Sequence, residues 1–357
     1  MRAGLTSAAV RAAREPCRTG SFADFAREVS VLHRAILGCV FLLVCLSLGY
    51  PTLNRYDVRT AVPDSADYAA MVNSGPQAAR PAYRARALVP YLAKPFAQLA
   101  RGRVGSWDPT SFGLLVANSL LSAGTAYVLV AIAFALTGNF QTALVAALLY
   151  LLNFAVSNLM LAGMLDSGEA FFLLAATALL LRNRWHFLPL IAVLGALSKE
   201  TYVPFLAAYA GTWALAAPRP RTAFVWTAVC IIAGLAAVTA LLSINAGHVV
   251  WLWQFAAGLN SGQGHVRSVI ACVTNRTFWY VFIWLLPLGL VSIRCLPRPW
   301  VLACAAAAVV AIVLSAYHNQ PQDAGAAARA LFNIAGPMLS LSAALTLVLP
   351  LPGSNVL

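Results

Sequence analysis

Residues 194–206, LGALSKETYVPFL, place a lysine and a glutamate side by side inside an apolar run. A charged side chain at the centre of a bilayer costs about 2.5–3.5 kcal/mol on membrane-insertion scales, so charges kept there have a use. Residues 187–217 form either one long helix or a hairpin of two short helices that turns at Lys199 and Glu200. The choice decides which side of the membrane every later segment faces.

The composition is typical of a membrane protein. Of the 357 residues, 61% are hydrophobic and 10% are charged, whereas soluble domains carry about 25% charged residues. Long apolar stretches recur from Ile36 to Pro350 and lack the alternating polarity of barrel strands. The sequence therefore predicts an all-α polytopic membrane protein.

The net charge of +13 comes from arginines that cluster in short segments between the apolar stretches. There they set membrane topology, so nucleic acid is not predicted as a partner. The seven cysteines are scattered, with no CxxC or Cys/His spacing. Neither a disulfide framework nor a zinc site is predicted, no cofactor is assigned, and a divalent metal stays open.

Six arginines between Arg2 and Arg34 place residues 1–34 in the cytoplasm, with a short interfacial helix leading into a first span at 35–50. Residues 51–110 are then extracytoplasmic. They contain two amphipathic pieces, DSADYAAMV (64–72) and RALVPYLAKPFAQLA (86–100), which we expect to lie in the interface. In the second piece Pro90 and Pro95 are expected to break or bend a helix whose apolar face is Leu88, Tyr91, Leu92, Phe96 and Leu99.

The hairpin is the preferred interpretation of residues 187–217, because it returns the basic segment 218–221 to the cytoplasm and keeps Arg294 and Arg298 there. Residues 187–198 give about 18 Å of helix, less than the ~30 Å hydrocarbon core. The turn at 199–200 is therefore recessed beneath the outer surface. About ten spans are predicted, followed by a tail at 351–357: 35–50, 111–136, 140–157, 167–181, 187–198, 201–217, 222–243, 278–293, 300–317 and 331–350.

On this topology most acids gather at one face. Three acids precede the first span, and the other eight fall on or just below the outer face: Asp57, Asp64, Asp67, Asp108, Asp166, Glu169, Glu200 and Asp323. Lys199 and Arg329 share that level. Because ionisable groups within a membrane face a cavity or each other, the pattern predicts a polar pocket that opens outward beneath residues 51–110.

Such a pocket suits group transfer from a lipid phosphate. A carboxylate beside a bound hydroxyl can act as a general base. Fixed lysine and arginine side chains can hold a phosphate and stabilise its charge as it leaves. The lipid tail would stay in the bilayer while the head reached the pocket.

Five features, in chain order, resemble polyprenyl-phosphate-dependent glycosyltransferases of the GT-C superfold. They are Asp64 with Tyr68 in DSADY, RALVPYL at 86–92, Asp166 opening the fourth span, KET at 199–201, and Asp323 with Arg329 before a last span that contains Pro337. The resemblance implies a GT-C-like fold and an inverting displacement at a sugar carbon. It also implies the plasma membrane as location, with the active site on the extracytoplasmic face.

The resemblance implies a role for each matching residue. Asp64 would be the base, with Asp67 as the alternative because the two acids are spaced D-x-x-D. The lipid phosphate would contact Lys199, Arg329 and Arg86. Orientation or acceptor binding would involve Asp166, Glu200, Tyr68, Asp323 and His318, without a metal ligand. The implied partners are membrane lipids, a polyprenyl-phosphate-sugar donor, and a glycan, lipid or protein acceptor.

Structural roles stay open for the same residues. Asp64 and Asp166 could cap or charge-stabilise helix starts, and Lys199 with Glu200 could be a turn that reaches the surface. Two other functions compete. A secondary transporter would also bury carboxylates and a lysine, although inverted repeats are expected there and none is seen. A non-catalytic subunit of envelope assembly would need no base.

Overall fold

The computed structural model describes residues 22–55, 63–105, 107–251, 265–318 and 325–348. No β-strand occurs among these residues, and α-helices account for most of them. In chain order the helices are α1 (Phe22–Glu28), α2 (Val31–Arg55), α3 (Pro63–Ser74), α4 (Leu88–Ala100), α5 (Pro109–Thr137), α6 (Phe140–Leu151), α7 (Asp166–Leu181), α8 (Leu188–Ser198), α9 (Tyr202–Leu215), α10 (Pro220–Ala246), α11 (His265–Thr274), α12 (Arg276–Phe282), α13 (Leu285–Val291), α14 (Arg298–His318) and α15 (Gly325–Val348).

Five of the described helices are long and apolar enough to cross a membrane. They are α2, α5, α10, α14 and α15, with spanning segments of 19 to 29 residues. Two shorter apolar helical segments, Phe140–Leu151 and Trp185–Ser198, accompany them. The chain is thus an all-α membrane protein, as its composition predicts.

Residues 188–215 form two helices joined by a turn. Helix α8 ends at Ser198 and α9 begins at Tyr202, so residues 199–201 form the turn between them. Lys199 breaks the helix by adopting an extended backbone, with φ −162° and ψ 130°. Gly195 permits the tight return, because a Cβ at this position would lie 2.4 Å from the Tyr202 ring.

Two predicted spans are interrupted. The helix at 140–157 ends at Leu151, and the chain continues as a π-helical turn at Val156–Met160. The segment at 278–293 consists of two short helices, α12 and α13, which meet at Ile283 and Trp284. Pro287 explains this second break, because its ring clashes with the carbonyl four residues earlier, that of Ile283.

Helix α4 is not broken by its prolines, although a break was one of the two effects predicted for them. It runs from Leu88 to Ala100 with Pro95 inside, and Pro90 lies in its first turn, where the N–H has no helical partner anyway. Its small residues pack on α5, where a Cβ on Gly113 would lie within 3 Å of Ala93 and Ala97. Two of its large apolar side chains, Tyr91 and Leu99, are exposed, whereas Val89 is buried.

Helix α1 and the charged end of α7 lie at the opposite end of the helices from the α7 start. Phe25 packs against Tyr127 and Phe134 near the end of α5. The Arg182 guanidinium, just after α7, lies 3.9 Å from the centre of the Phe22 ring. The first turn of α7 therefore stands at the far end of the helix, with α3 and α4.

Candidate functional site

Four segments distant in sequence meet at one end of the helices. They are α3 with the loop to residue 86, the first turn of α7, the turn at 199–201, and the first turns of α15. Together they bring five acids and four bases into one group, the polar cluster, which is joined by ion pairs and by the contacts of Arg80 and Arg86 with the Tyr83 ring: Asp64, Asp67, Asp166, Glu169, Glu200, Arg80, Arg86, Lys199 and Arg329.

Lys199 lies at the centre of the buried part of the cluster. Its Nζ is 2.7 Å from Asp166 Oδ1 and 3.4 Å from Glu169 Oε2. The two carboxylates are one helical turn apart on α7, so they share a face. The Glu169 side chain is fully buried and that of Asp166 is 3% exposed. The ammonium group of Lys199 is thus paired with two buried carboxylates.

Neutral side chains complete the hydrogen bonding of these carboxylates. Asn333 Nδ2 donates to Glu169 Oε2 at 2.6 Å and to Asp166 Oδ1 at 3.3 Å. Thr201 Oγ1 donates to Glu169 Oε1 at 2.6 Å. Buried charges are tolerated only when they are paired and hydrogen-bonded, and Glu169 meets both conditions.

The close approach of α7 to α8 depends on Gly168. A Cβ at this position would lie 2.0 Å from Ser198 Oγ and 3.0 Å from Ser198 Cβ. Because Ser198 is the last residue of α8, this contact sets how near the turn at 199–201 comes to Asp166 and Glu169. Gly168 therefore allows Lys199 to come within contact distance of the two carboxylates.

Glu200 points the other way and pairs with Arg86. The distances are 2.8 Å from Nε to Oε2 and 2.5 Å from the second guanidinium nitrogen to Oε1. Arg86 also donates to the Tyr68 hydroxyl at 2.8 Å. Burial lowers the pKa of Arg86, but Glu200 and Tyr68 outweigh it and raise that pKa well above its ordinary value. Glu200 therefore holds the loop before α4, and Lys199 has other partners.

Asp67 is fully occupied by Arg80. Its two oxygens accept from the Arg80 backbone N–H and from Nε, each at 2.8 Å, and a second guanidinium nitrogen lies 2.7 Å from Oδ2. The hydrogen bond to Asp67 is the largest cause that raises the pKa of Arg80. This carboxylate anchors the loop that follows α3, through the short 3₁₀ turns Pro76–Ala78 and Pro81–Tyr83.

Asp64 is the more open of the two acids of α3. The Tyr83 hydroxyl donates to its Oδ1 at 2.7 Å, and Arg329 lies 3.8 Å from Oδ2. Burial raises the pKa of Tyr83, and the hydrogen bond to Asp64 raises it further, so the hydroxyl remains a donor at neutral pH. Asp64 stands in the first turn of α3, where the helix dipole also favours a negative charge.

Arg329 bridges the rim and the interior of the cluster. Its Nε lies 3.4 Å from Asp166 Oδ2, and a terminal nitrogen lies 3.8 Å from Asp64 Oδ2. Its buried Nε has no hydrogen-bond acceptor among the residues that the structure describes. Among the four bases of the cluster, Arg329 is held at the longest distances by the described residues, so its N–H groups have the most capacity for a further anion.

The structure brings together eight of the ten residues that the sequence selects: Asp64, Asp67, Tyr68, Arg86, Asp166, Lys199, Glu200 and Arg329. Asp323 lies outside the described residues, and so does the side chain of His318, which ends α14. Sequence reasoning missed the neutral partners Tyr83 and Asn333 and assigned no site role to Arg80. The position of Glu169 could have been predicted, since it follows Asp166 by one helical turn and so shares its helix face.

Asp166 is not the N-cap of α7. Leu165 holds that position, and no side chain caps it. The Asp166 carboxylate instead contacts Lys199, Asn333 and Arg329. Within the described ranges no group of three or more His, Cys, Asp or Glu side chains is arranged as metal ligands.

No protein-family model matches the chain, and neither curated proteins nor solved structures give a significant match to it. Function is therefore inferred from the geometry of the polar cluster.

Proposed function

We propose that this protein is an integral membrane glycosyltransferase of the GT-C type, with about ten spans. It transfers a sugar from a polyprenyl-phosphate-linked donor to an acceptor hydroxyl on the extracytoplasmic face, with inversion. One observation carries the proposal. Asp64 and Arg329, with side chains 26% and 18% exposed, face each other at 3.8 Å with no hydrogen bond between them. A carboxylate and a guanidinium group thus meet at the rim without saturating each other.

The chemistry follows from this pair. Asp64 Oδ2 takes the proton of the acceptor hydroxyl as the acceptor oxygen attacks the anomeric carbon. The bond from that carbon to the phosphate oxygen breaks, and its electron pair leaves on the polyprenyl phosphate. Arg329 holds the phosphate and stabilises the charge that develops on it. A single displacement inverts the configuration at the carbon.

In this proposal the other charged residues of the polar cluster hold the reacting residues or the neighbouring loops in place. Asp166 lies between Lys199 at 2.7 Å and Arg329 at 3.4 Å, so the lysine fixes the carboxylate that orients Arg329. Arg86 is paired with Glu200, and Asp67 is paired with Arg80. The proposal therefore makes Asp64 the base and Asp67 an anchor, and it gives the direct phosphate contact to Arg329.

Native mass spectrometry of the purified protein tests the phosphate site. We expect an adduct of polyprenyl-phosphate mass on the wild type that falls at least about tenfold in Arg329→Ala, since a charge-assisted contact is lost. Arg101→Ala is the matched control, because Arg101 is an exposed arginine just after α4. Absence of the adduct from the wild type, or equal retention by the two variants, would remove the lipid-phosphate site.

A secondary transporter is the second candidate. The buried group of Lys199, Asp166 and Glu169 favours it, because ionisable residues inside membranes often mark ion pathways. Proteoliposomes under an imposed pH gradient separate the two functions. Proton flux that is lost in Glu169→Gln and kept in Asp64→Asn supports transport, and sugar transfer that is lost in Asp64→Asn supports the enzyme.

A further inference from the structure

Tyr83 contacts Asp64 and also two arginines of the polar cluster, Arg80 and Arg86. Its hydroxyl donates to Asp64 Oδ1 at 2.7 Å. The guanidinium carbons of Arg80 and Arg86 lie 4.7 and 4.6 Å from the centre of its ring. Tyr68 meets the ring edge-on, with centroids 5.7 Å apart.

The partners of the Tyr83 ring are themselves fixed. Arg80 is held by Asp67 and Arg86 by Glu200, in each case through two or more short contacts. Stacking of a cation on an aromatic face adds about 0.5–2 kcal/mol per contact. The ring is therefore held on more than one side, and its hydroxyl has a defined direction.

The two oxygens of Asp64 have unequal surroundings. Oδ1 accepts the Tyr83 hydrogen bond and lies 3.8 Å from Arg80. Oδ2 has Arg329 at 3.8 Å as its contact among the described residues. The last torsion of an aspartate is broad, so an unheld carboxylate group would sample many orientations of its plane. The Tyr83 donor restricts that torsion, so that one oxygen faces Tyr83 and the other faces Arg329.

We infer that Tyr83 is a positioning residue for the proposed base, because it engages Oδ1 and leaves Oδ2, on the Arg329 side, to take the proton of the acceptor. The inference rests on the proposed glycosyltransferase function and adds a residue to it. Tyr83 acts through Asp64 and takes no proton itself. Its hydroxyl sets the orientation of the carboxylate relative to the phosphate site.

Tyr83→Phe tests the inference, since it removes the hydroxyl and keeps the ring between its neighbours. We expect kcat for sugar transfer to fall roughly ten- to a hundredfold, as for other misplaced catalytic groups, with KM for the donor unchanged. Tyr91→Phe, at an exposed tyrosine of α4, is the matched control and should keep the wild-type kcat. An unchanged kcat in Tyr83→Phe overturns the inference.

A double-mutant cycle separates positioning from a loss of structure. In the Asp64→Asn background no carboxylate remains to be oriented, so Tyr83→Phe should cause no further loss of kcat. A purely structural role for Tyr83 would lower the rate by the same factor in both backgrounds. Equal factors therefore also overturn the inference.

A measurement without substrate distinguishes failure of the inference from failure of the proposed function. Carbodiimide labelling of Asp64, followed by peptide mass spectrometry, should become severalfold faster in Tyr83→Phe because the hydroxyl no longer covers Oδ1. It should not change in Tyr91→Phe. If the wild type transfers no sugar, the proposed function fails, and the catalytic role of Tyr83 fails with it, whatever the labelling rates. If the wild type transfers sugar but Tyr83→Phe is labelled at the wild-type rate, only the inference fails.

Discussion

Arg86 and Glu200 stand 114 positions apart in the chain and form a two-pronged ion pair with N–O distances of 2.8 and 2.5 Å. Their side chains are 15% and 13% exposed. This pair fastens the loop before α4 to the turn between α8 and α9. It joins the segment that carries Asp64 to the one that carries Lys199.

Removal of the charge on Glu200 should destabilise the protein. Glu200→Gln leaves the Arg86 guanidinium largely buried without its counter-charge, and breaking such a pair costs about 3–5 kcal/mol. The expected result is a clear drop in the melting temperature of the detergent-solubilised protein. Arg84→Gln is the control, because Arg84 donates only to carbonyls of its own loop, those of Ala79 and Gln77, among the described contacts. Equal melting temperatures for the wild type and Glu200→Gln would contradict the prediction.

The two acids of α3 should respond in opposite ways. Asp64→Asn removes the proposed base and should lower turnover about 10²–10⁴-fold while the fold is kept. Asp67→Asn leaves Arg80 without its carboxylate and should lower the melting temperature while turnover is largely kept. Sugar-transfer rates and thermal unfolding of both variants, measured together, decide between the assignments. The reverse pattern would make Asp67 the base.

Gly168→Ala should separate α7 from α8 and disturb Lys199. The new methyl group meets Ser198, and overpacking of this kind costs about 1–3 kcal/mol. Gly211→Ala in α9 is the control, because a Cβ there would meet no described atom within 4 Å outside its own helix backbone, and alanine favours a helix. Thermal unfolding of the two variants is the measurement. Ser198→Gly in the Gly168→Ala protein should restore part of the loss, and a lack of rescue would show that Ser198 is not the obstacle.

Tyr83 should make the protein less stable at alkaline pH. Its pKa is raised in the folded state, chiefly by burial. Between the ordinary tyrosine value, about 10, and the raised value, the unfolded state has lost the proton that the folded state keeps. The unfolded state thus binds fewer protons, and stability falls as pH rises past about 10. Its contribution is fully present below that pH.

The corresponding measurement is the melting temperature of the wild type and of Tyr83→Phe between pH 8 and pH 11. The wild type should be the more stable at pH 8, and the difference should shrink as pH rises. Tyr68, whose pKa is also raised by burial, is present in both proteins and cancels in the comparison. A difference that is constant across the range would show that Tyr83 does not titrate as described.

The sequence was sufficient to predict the all-α membrane class, the position of the turn at Lys199 and the convergence of distant charges. These features follow from hydrophobic length and from the distribution of basic residues, which are local properties of the chain. The arginine at 182 and the acid at 166 fall at opposite ends of one helix, and that separation can be read from spacing alone.

The sequence could not predict which charged side chains pair with each other. Which acid of DSADY is occupied depends on Arg80. The 3₁₀ turn at Pro76–Ala78 brings that arginine back to Asp67, just before a second 3₁₀ turn begins. Asn333 and Tyr83 carry no charge, so a search for charges passes over them. The continuity of helix α4 through Pro95 was not predicted, because the sequence does not show that this proline lies on the exposed side of the helix.

The position of Arg329 and Asn333 on α15 has a consequence for how the protein is made. Chain synthesis proceeds from the N-terminus, so α7 and the turn at Lys199 are made before α15. Until then Asp166 and Glu169 share one lysine, and this group carries an excess negative charge. Arrival of α15 adds one positive charge and an amide donor, and the group becomes neutral. A chain that stops before α15 should therefore keep an uncompensated negative charge in this group.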